Sequence, residues 1–441
     1  MDEADNVAIE AHLDYQCGFG NEMQSEALRG SLPPSNNPRE VPFGLVSELV
    51  SGAAFTAPRA LNVRTYMFRV HPSTMQPGLE ERALPNFLTP PFGGKPSPNA
   101  MAWSHVDSAD VAGDFLDGIR TICGNGSPAL HAGVAVHVYT ASKSMTGRAF
   151  LNADGEMLIV PQKGRLRIVT ELGLLDISPS EIAIVPRGIK FRVDLPDGTA
   201  RGFVCENFGA PLRLPELGLI GSFGQAQTFD FQAPTAWFEA DAPATDVVTK
   251  YAGAFWGSTL PHSPFDVVAW RGNLTPYKYD MNRFMAVGSA TRDHSDPSIY
   301  CALTSPGDPV LGANLDFCIL PPRWVVGDNT FRPPGYHRNC VTEFLGLLTA
   351  PDDAAVPAAT LHNAYVPHGP ATRVFEMGRS QGDDPQWLGD GPNFFIETRF
   401  PLEVTRSALA AAAYLPEYRE KWSGFQPRFA PPGPDGRTPN G

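Results

Sequence analysis

Short β-strand patterns separated by glycine and proline turns run through most of this 441-residue chain. The segment 189–195, IKFRVDL, alternates apolar and polar residues with the period of two that a strand shows. The segments 133–140 and 166–172 are also strand-like, and Asp154-Gly155 is a pair that closes hairpins. The 42 glycines and 44 prolines are distributed over the whole chain. This pattern predicts an all-β sandwich or barrel rather than a parallel α/β sheet.

The second half of the chain contains another β-rich block, from about 264 to 400, in which the segment 372–378, TRVFEMG, is one of the predicted strands. Strong helix composition is confined to 406–422, where Pro416 interrupts the pattern. The two successive β blocks leave room for a duplicated barrel.

Composition narrows the classes of function. The net charge of −13 and the lack of clustered Lys and Arg argue against a nucleic-acid partner. No window approaches 18 consecutive apolar residues and the acidic N-terminus does not resemble a signal peptide, so we expect no membrane partner and a cytoplasmic location. The six cysteines have no CxxC spacing, which favours reduced thiols over a disulfide framework or a zinc ribbon.

A candidate metal site lies in the segment 333–344, PPGYHRNCVTEF. If this segment is extended, the even spacing puts His337 and Glu343 on the same face, and His368 follows after room for a turn and a returning strand. Two histidines and one carboxylate form the usual protein site for non-haem Fe(II), and zinc is the chief chemical rival. The alternative without a metal makes His337 a hydrogen-bonded core residue and Glu343 a surface acid.

Several long segments resemble a known family. They are CGFGNE (17–22), GSLPPSNNP (30–38), SGAAFTAPR (51–59), LIVPQKG (158–164), SPFDVVAWRGNLTPYKY (263–279), DHSDPSIY (293–300), PPRWVVGDNTFRPP (321–334), FRPPGYHRNCVTEFLGLL (331–348) and LHNAYVPHGP (361–370). In this order they resemble the homogentisate 1,2-dioxygenase family over nearly the whole chain.

The resemblance implies an Fe(II) enzyme with an all-β, cupin-like (bicupin or jelly-roll) fold, and a homo-oligomer, in that family a hexamer of two trimers. It implies an N-terminal β-sandwich domain with an extended arm over 1–280, a C-terminal iron-binding catalytic domain over 281–425, and a flexible tail over 426–441. The implied reaction opens the aromatic ring of homogentisate with O2 to give maleylacetoacetate.

The resemblance also implies roles for single residues. It implies that His337, Glu343 and His368 are the iron ligands, that His294 is the catalytic base, and that His362, His368 and Ser289 lie at the substrate. Histidine suits a base that deprotonates a hydroquinone hydroxyl near neutral pH.

One loop departs from the family pattern. Family members carry a tyrosine and a lysine in the region that corresponds to 349–361, whereas this chain is shorter and has Asp352 and Asp353 there. We expect these acids to weaken attraction for a substrate carboxylate, and Tyr365 is the predicted substitute for the missing tyrosine.

Three alternatives for the function stay open at this point. They are a ring cleaver of gentisate-like acids, a ring cleaver of alkyl hydroquinones, and a non-catalytic cupin binding module. The histidines at 12, 71, 105 and 262 lie in loop-like sequence and are interpreted as solvent-exposed or packing residues.

Overall fold

The fold is described from a computed structural model of the chain. The structure describes residues 13–105, 113–217, 225–239, 244–286, 292 and 297–431. Within these residues no helix is both long and apolar enough to span a bilayer.

Strands dominate the described residues. In the first half they are β1 Tyr15–Cys17, β2 Met23–Glu26, β3 Val46–Ser51, β4 Arg64–Arg69, β5 Glu80–Arg82, β6 Met101–Trp103, β7 Ile119–Ser127, β8 Ala132–Ala141, β9 Arg148–Asn152, β10 Glu156–Lys163, β11 Leu166–Thr170, β12 Gly173–Ile177, β13 Glu181–Val185, β14 Lys190–Asp194 and β15 Ala200–Asn207. The later strands are β16 Gln232–Pro234, β17 Thr245–Tyr251, β18 Ala254–Leu260, β19 Val267–Gly272, β20 Tyr277–Asp280, β21 Cys301–Ser305, β22 Leu315–Leu320, β23 Arg323–Val325, β24 Thr342–Gly346, β25 Ala359–His362, β26 Gln386–Leu388, β27 Asn393–Thr398 and β28 Glu403–Val404. The predicted all-β class is confirmed.

The α-helices of the described residues are short: α1 Phe115–Gly118, α2 Thr372–Ser380 and α3 Arg406–Ala410. The strand predicted at 372–378 is therefore wrong, because this segment forms α2, whose apolar residues recur at helical spacing. The ring of Phe375 contacts that of Phe331, with centroids 5.3 Å apart. The helix predicted over 406–422 is realised only as α3 and as a 3₁₀ turn over Tyr418–Trp422, with Pro416 between them.

The strands form two large sheets and three smaller ones. The nine-stranded sheet has the order β1-β16-β20-β13-β10-β15-β8-β7-β28, and the seven-stranded sheet has the order β12-β11-β14-β9-β17-β18-β5. The smaller sheets have the orders β2-β19-β4-β3, β21-β22-β27-β24-β25-β6 and β23-β26.

Predicted alternation in 189–195 holds, but Lys190 and Asp194 on its polar face are also buried, and Lys190 pairs with Glu171.

The six-stranded sheet joins the two halves of the chain. Its edge strand β6 comes from the first half and pairs with β25 from the second. Phe203 of the nine-stranded sheet contacts Phe344 and Phe394 of the six-stranded sheet, with ring centroids 6.3 and 5.3 Å apart. One continuous apolar core therefore contains residues from both halves, while the division into domains at residue 280 stays a prediction.

A fully buried ionic cluster lies inside the first half. The Glu206 carboxylate accepts hydrogen bonds from Lys250 and from Asn152, and it lies 3.2 Å from Nε2 of His137. Burial acts to raise the pKa of Glu206, but Lys250 and His137 lower it to about 2. Because a buried charge is costly unless it is paired, the acid and the lysine stabilise the fold only together.

Candidate metal centre

The site forms where β24 and β25 run antiparallel. Their register places Glu343 directly opposite His362, and Glu343 is also opposite Glu397 on β27. Leu345 and Thr360 form the next pair with the same facing, since side chains alternate along a strand. The strands therefore place a carboxylate and an imidazole side by side on one face of the six-stranded sheet.

His337 reaches the site from outside the strands. It precedes β24 and forms an isolated bridge with His368, in which each backbone N–H donates to the carbonyl of the other residue, at 3.0 and 3.1 Å. The structure brings His337 and Glu343 together, and their role as metal ligands stays a prediction. The sequence-based assumption of one extended segment is wrong, because the cross-chain bridge to His368 brings His337 in.

The three predicted ligands converge on one point. His368 Nε2 lies 2.8 Å from Glu343 Oε2, His337 Nε2 lies 3.8 Å from Glu343 Oε1, and the two imidazole centroids are 4.1 Å apart. Two donor atoms that share a metal at about 2.1 Å with a right angle between their bonds are about 3 Å apart. The 2.8 Å separation matches this distance and the 3.8 Å separation is wider, and the donor atoms of the three residues all lie within 4.8 Å of one another, close enough to hold a metal ion.

The backbone sets the tautomer of both histidines. Nδ1 of His337 lies 2.8 Å from the carbonyl oxygen of Gly335, and Nδ1 of His368 lies 2.9 Å from that of Val366. A carbonyl only accepts, so each Nδ1 carries a proton, and in a neutral ring the lone pair is on Nε2. Nε2 of both rings then faces the Glu343 carboxylate, where a bound metal ion takes the place of the proton that Nε2 otherwise donates.

The pKa values of the carboxyl groups at the site also favour a bound cation. Burial acts to raise the pKa of Glu343, but hydrogen bonds with His337 and His368 hold it well below its usual range. Burial and the nearby Glu343 raise the pKa of Glu397 to about 8, so this second carboxyl is protonated at neutral pH. Glu343 in turn raises the pKa of His337, and one carboxylate with two imidazoles is a ligand set that fits a divalent metal; iron is the metal that the resemblance implies.

A second group of three potential ligands differs in charge. His71, His262 and Asp266, with the two imidazole rings stacked 3.9 Å apart, also bring donor atoms close together. Oδ1 of Asp266, however, accepts from Nε and Nη2 of Arg69 at 3.0 and 2.8 Å. A guanidinium already neutralises this carboxylate, whereas the described partners of the Glu343 carboxylate are His337, His368 and the neutral Asn339.

The other predicted site residues have different outcomes. His362 is 7% exposed, and its ring stacks on that of His368 at 4.2 Å with an interplanar angle of 3°. Tyr365 lies on the turn after β25 and is 68% exposed, so its part in substrate binding stays a prediction. Ser289 and His294 lie outside the described residues, and their roles also stay predictions.

The sequence interpretation missed Tyr418, which contacts His362, and Lys421, which contacts Tyr418. The hydroxyl of Tyr418 lies 3.3 Å from Nε2 of His362, and the Lys421 ammonium donates to that hydroxyl. Lys421 also lies 3.8 Å from the Tyr418 ring centroid and 4.5 Å from that of Trp422. A tyrosine and a lysine three positions apart in YREKW were the available signal, but the segment was interpreted only as helix.

A cavity of about 590 Å³ lies beside this group. Tyr418 and Lys421 line it together with apolar residues that include Leu345, Leu347 and Val356. Burial lowers the pKa of Lys421 to about 8. The cavity thus combines an apolar wall with a cation next to the imidazole that stacks on His368.

The shorter loop at 349–361 differs from the prediction made for it. Asp352 accepts from Arg201 and lies 3.3 Å from Nζ of Lys163, so two cations neutralise it. Asp353 accepts from the backbone N–H of Ala355. The expectation that both acids weaken attraction for a substrate carboxylate is therefore not supported for Asp352, because Arg201 and Lys163 compensate its charge.

The fold and the site together define an all-β protein with a two-histidine, one-glutamate candidate metal centre. Comparison with protein families gives the particular class. The family described as Homogentisate 1,2-dioxygenase N-terminal matches residues 14–281, and the one described as Homogentisate 1,2-dioxygenase C-terminal matches residues 282–429. The chain belongs to the homogentisate 1,2-dioxygenase family, which implies a ring-cleaving dioxygenase and supports the predicted two-part, cupin-like class.

Solved structures similar to the chain include cupin proteins. An oxalate decarboxylase variant from Bacillus subtilis is 10% identical, with 77% of this chain and 87% of that chain covered and a TM-score of 0.30. A cupin-2 domain protein from Shewanella frigidimarina is 12% identical, with 17% and 70% covered and a TM-score of 0.16. Ylba from E. coli is 10% identical, with 71% and 94% covered and a TM-score of 0.27. These scores are too low to support any argument about function.

Proposed function

We propose that this protein is an Fe(II)-dependent dioxygenase that opens the aromatic ring of homogentisate or of a closely related substituted hydroquinone. The observation that carries the proposal is the pair of histidines whose Nε2 atoms face Glu343 while backbone carbonyls hold both Nδ1 protons. Family membership supplies the reaction class. When bound, ferrous ion supplies electron transfer between an aromatic diol and O2.

Residues around the ligands prepare the site for a phenolic substrate. Burial, with His368 and Lys421 adding to it, lowers the pKa of His362 to about 3, so this ring stays neutral. Its Nε2 accepts a hydrogen bond from the Tyr418 hydroxyl, which in turn accepts from Lys421. This chain of hydrogen bonds fixes the His362 ring against His368. His294, which the resemblance makes the base, is proposed to take the proton of a ring hydroxyl.

Lys421 is the cation that we propose for the substrate carboxylate. Its ammonium lies on an apolar cavity wall, where an ion pair is stronger than in water. Asp352 competes little for the substrate charge, because Arg201 and Lys163 pair with it. A hydroquinone that carries a carboxylate therefore fits better than a neutral alkyl hydroquinone.

The assembly and location of the protein are proposed from the family alone. We expect a trimer or hexamer, a small aromatic substrate with O2 as the partners, and a cytoplasmic protein. Sedimentation of the purified chain tests the assembly.

The function is tested by anaerobic reconstitution with Fe(II), followed by O2 uptake on addition of homogentisate, gentisate or methylhydroquinone. We expect uptake with homogentisate and formation of a ring-opened product, identified by mass spectrometry. Glu343→Ala should lose both bound iron and uptake, and His71→Gln should keep both. Iron binding without uptake on any hydroquinone would favour a binding module instead.

A further inference from the structure

A second cavity, of about 450 Å³, lies on the other side of β25 from the metal centre. Trp103 of β6 and Ala359 of β25 form part of its wall, and Arg120, Thr140 and Arg201 of the nine-stranded sheet face them. Its volume falls within the range of small-molecule sites, roughly 300–1,000 Å³. Thr360, the next residue along β25, lines the cavity near the metal centre instead, so one strand separates the two spaces.

Most polar groups of this cavity have partners in the described part of the chain. Arg201 donates to Gln162 and to Asp352, and the Gln162 amide donates to the carbonyl of Leu347. Nε2 of His105 lies 3.1 Å from the carbonyl oxygen of Ala350. The charge of Arg201 is therefore already compensated by Asp352.

Two polar groups on this face differ from these. Nη1 of Arg120 and the hydroxyl of Thr140 are buried and have no hydrogen-bond partner among the described residues. Thr140 is 2% exposed, so it is built into the wall. An arginine stays charged at all physiological pH values, and a buried guanidinium nitrogen without an acceptor is costly.

The sheet register brings these groups together. Arg120 pairs with Val138 across β7 and β8, so Thr140 is its diagonal neighbour on the same face. Thr140 in turn pairs with Arg201 across β8 and β15. Tyr139, which lies between Val138 and Thr140 on β8, faces the opposite side of the sheet, where its ring contacts that of Phe115.

We propose that this cavity binds a small monocarboxylate with an apolar or aromatic body, held by Arg120. A carboxylate accepts two hydrogen bonds from a guanidinium fork, and Thr140 is the polar neighbour of Arg120 on the same face of the sheet. Ile122, Phe203 and the alanines at 354, 408 and 413 supply the apolar surroundings. Arg120 is the cation in this wall without a described acidic partner, so a single negative charge balances it.

The proposal does not depend on the ring-cleaving activity, and it is tested without it. The full chain carrying Glu343→Ala, prepared without metal, is titrated with 4-fluorobenzoate and observed by ¹⁹F NMR. The neutral 4-fluorobenzamide is the matched probe. We expect the carboxylate to bind about tenfold more tightly than the amide, which corresponds to ~1.4 kcal/mol.

Two further variants in the same background locate the binding. Arg120→Gln should weaken the binding of 4-fluorobenzoate by about tenfold or more. The control Arg283→Gln, at an exposed arginine paired with Asp230, should leave the affinity unchanged. Ala354→Trp, at an exposed position on the cavity rim, should block binding and keep the Arg120 charge.

Each result decides the proposal. Equal binding of acid and amide, or undiminished binding in Arg120→Gln and Ala354→Trp, would overturn it. If Arg120→Gln fails to fold by circular dichroism, Ala354→Trp alone decides. Absence of ring cleavage in the wild type would refute the proposed function and leave this result untouched.

Discussion

Replacing Glu343 by Gln tests the metal centre without removing much volume. The amide keeps the shape of the side chain and loses the negative charge that faces Nε2 of His337 and of His368. An amide is a weak ligand for a divalent ion compared with a carboxylate, so we expect Fe(II) to bind the wild type and not the variant. The difference is measurable as stability, because a metal that binds only the folded state stabilises it.

The expected size follows from linkage and from the size of the chain. Fe(II) at a hundredfold excess over its Kd stabilises the folded state by ~2.7 kcal/mol. The apolar core contains residues of both halves, so we treat the 441 residues as one cooperative unit. With ~2.1 cal/mol/K per residue the unfolding entropy is ~0.9 kcal/mol/K, and the rise in Tm is about 3 °C.

The assay is differential scanning fluorimetry under argon, with and without Fe(II). We expect the rise in wild type and in His71→Gln, and none in Glu343→Gln. His71→Gln is the matched control because it alters the other three-residue group, in which Arg69 already neutralises Asp266. An equal rise in Glu343→Gln, or its loss in His71→Gln, would refute the assignment of the metal centre.

Three further outcomes are expected. Lys421→Met should raise KM for homogentisate by about tenfold, or ~1.4 kcal/mol, and leave KM for methylhydroquinone unchanged, as O2-uptake kinetics would show; equal effects on both would argue against a carboxylate contact. Burial raises the pKa of Glu156 from 4.5 to about 7, so the stability this residue contributes is complete below pH 4.5 and is lost as pH rises through 7. In urea unfolding, the free energy of unfolding of the wild type should therefore fall by up to about 3 kcal/mol more than that of Glu156→Gln between pH 4.5 and 8. Parallel pH profiles of the two proteins would contradict this. Lys250→Met should lower the free energy of unfolding by ~3 kcal/mol, because the Glu206 carboxylate stays buried without its cation. Adding Glu206→Gln to the Lys250→Met chain should restore most of that free energy. If the two substitutions lower the free energy additively, the pairing is contradicted.

Local pattern predicted the strands better than the helices. Alternation in 189–195 predicted β14 because period-two side chains are a property of the strand itself. The segment 372–378 was misjudged because Val374, Phe375 and Met377 are compatible with either period over so short a range. Contact of Phe375 with Phe331 and Tyr336 decides for a helix, and such contacts are not readable from a few residues.

The candidate ligands were predictable to different degrees. His337, Glu343 and His368 were proposed from their spacing and from family resemblance, and the structure brings all three together. Tyr418 and Lys421 were not predicted, because 56 positions separate Tyr418 from its partner His362. The spacing of residues along a sequence predicts contacts only within one element or between adjacent elements.

The sequence by itself determined the all-β class and the residue types of the candidate ligands, since both depend on residue types and short-range periodicity. Only the tertiary structure decided how the candidate ligands meet: a bridge between His337 and His368 replaces the single extended segment. It also placed Asp352 against Arg201 and left Nη1 of Arg120 without a described partner. Such pairings depend on which distant strands become neighbours, and long-range packing rather than local pattern sets that.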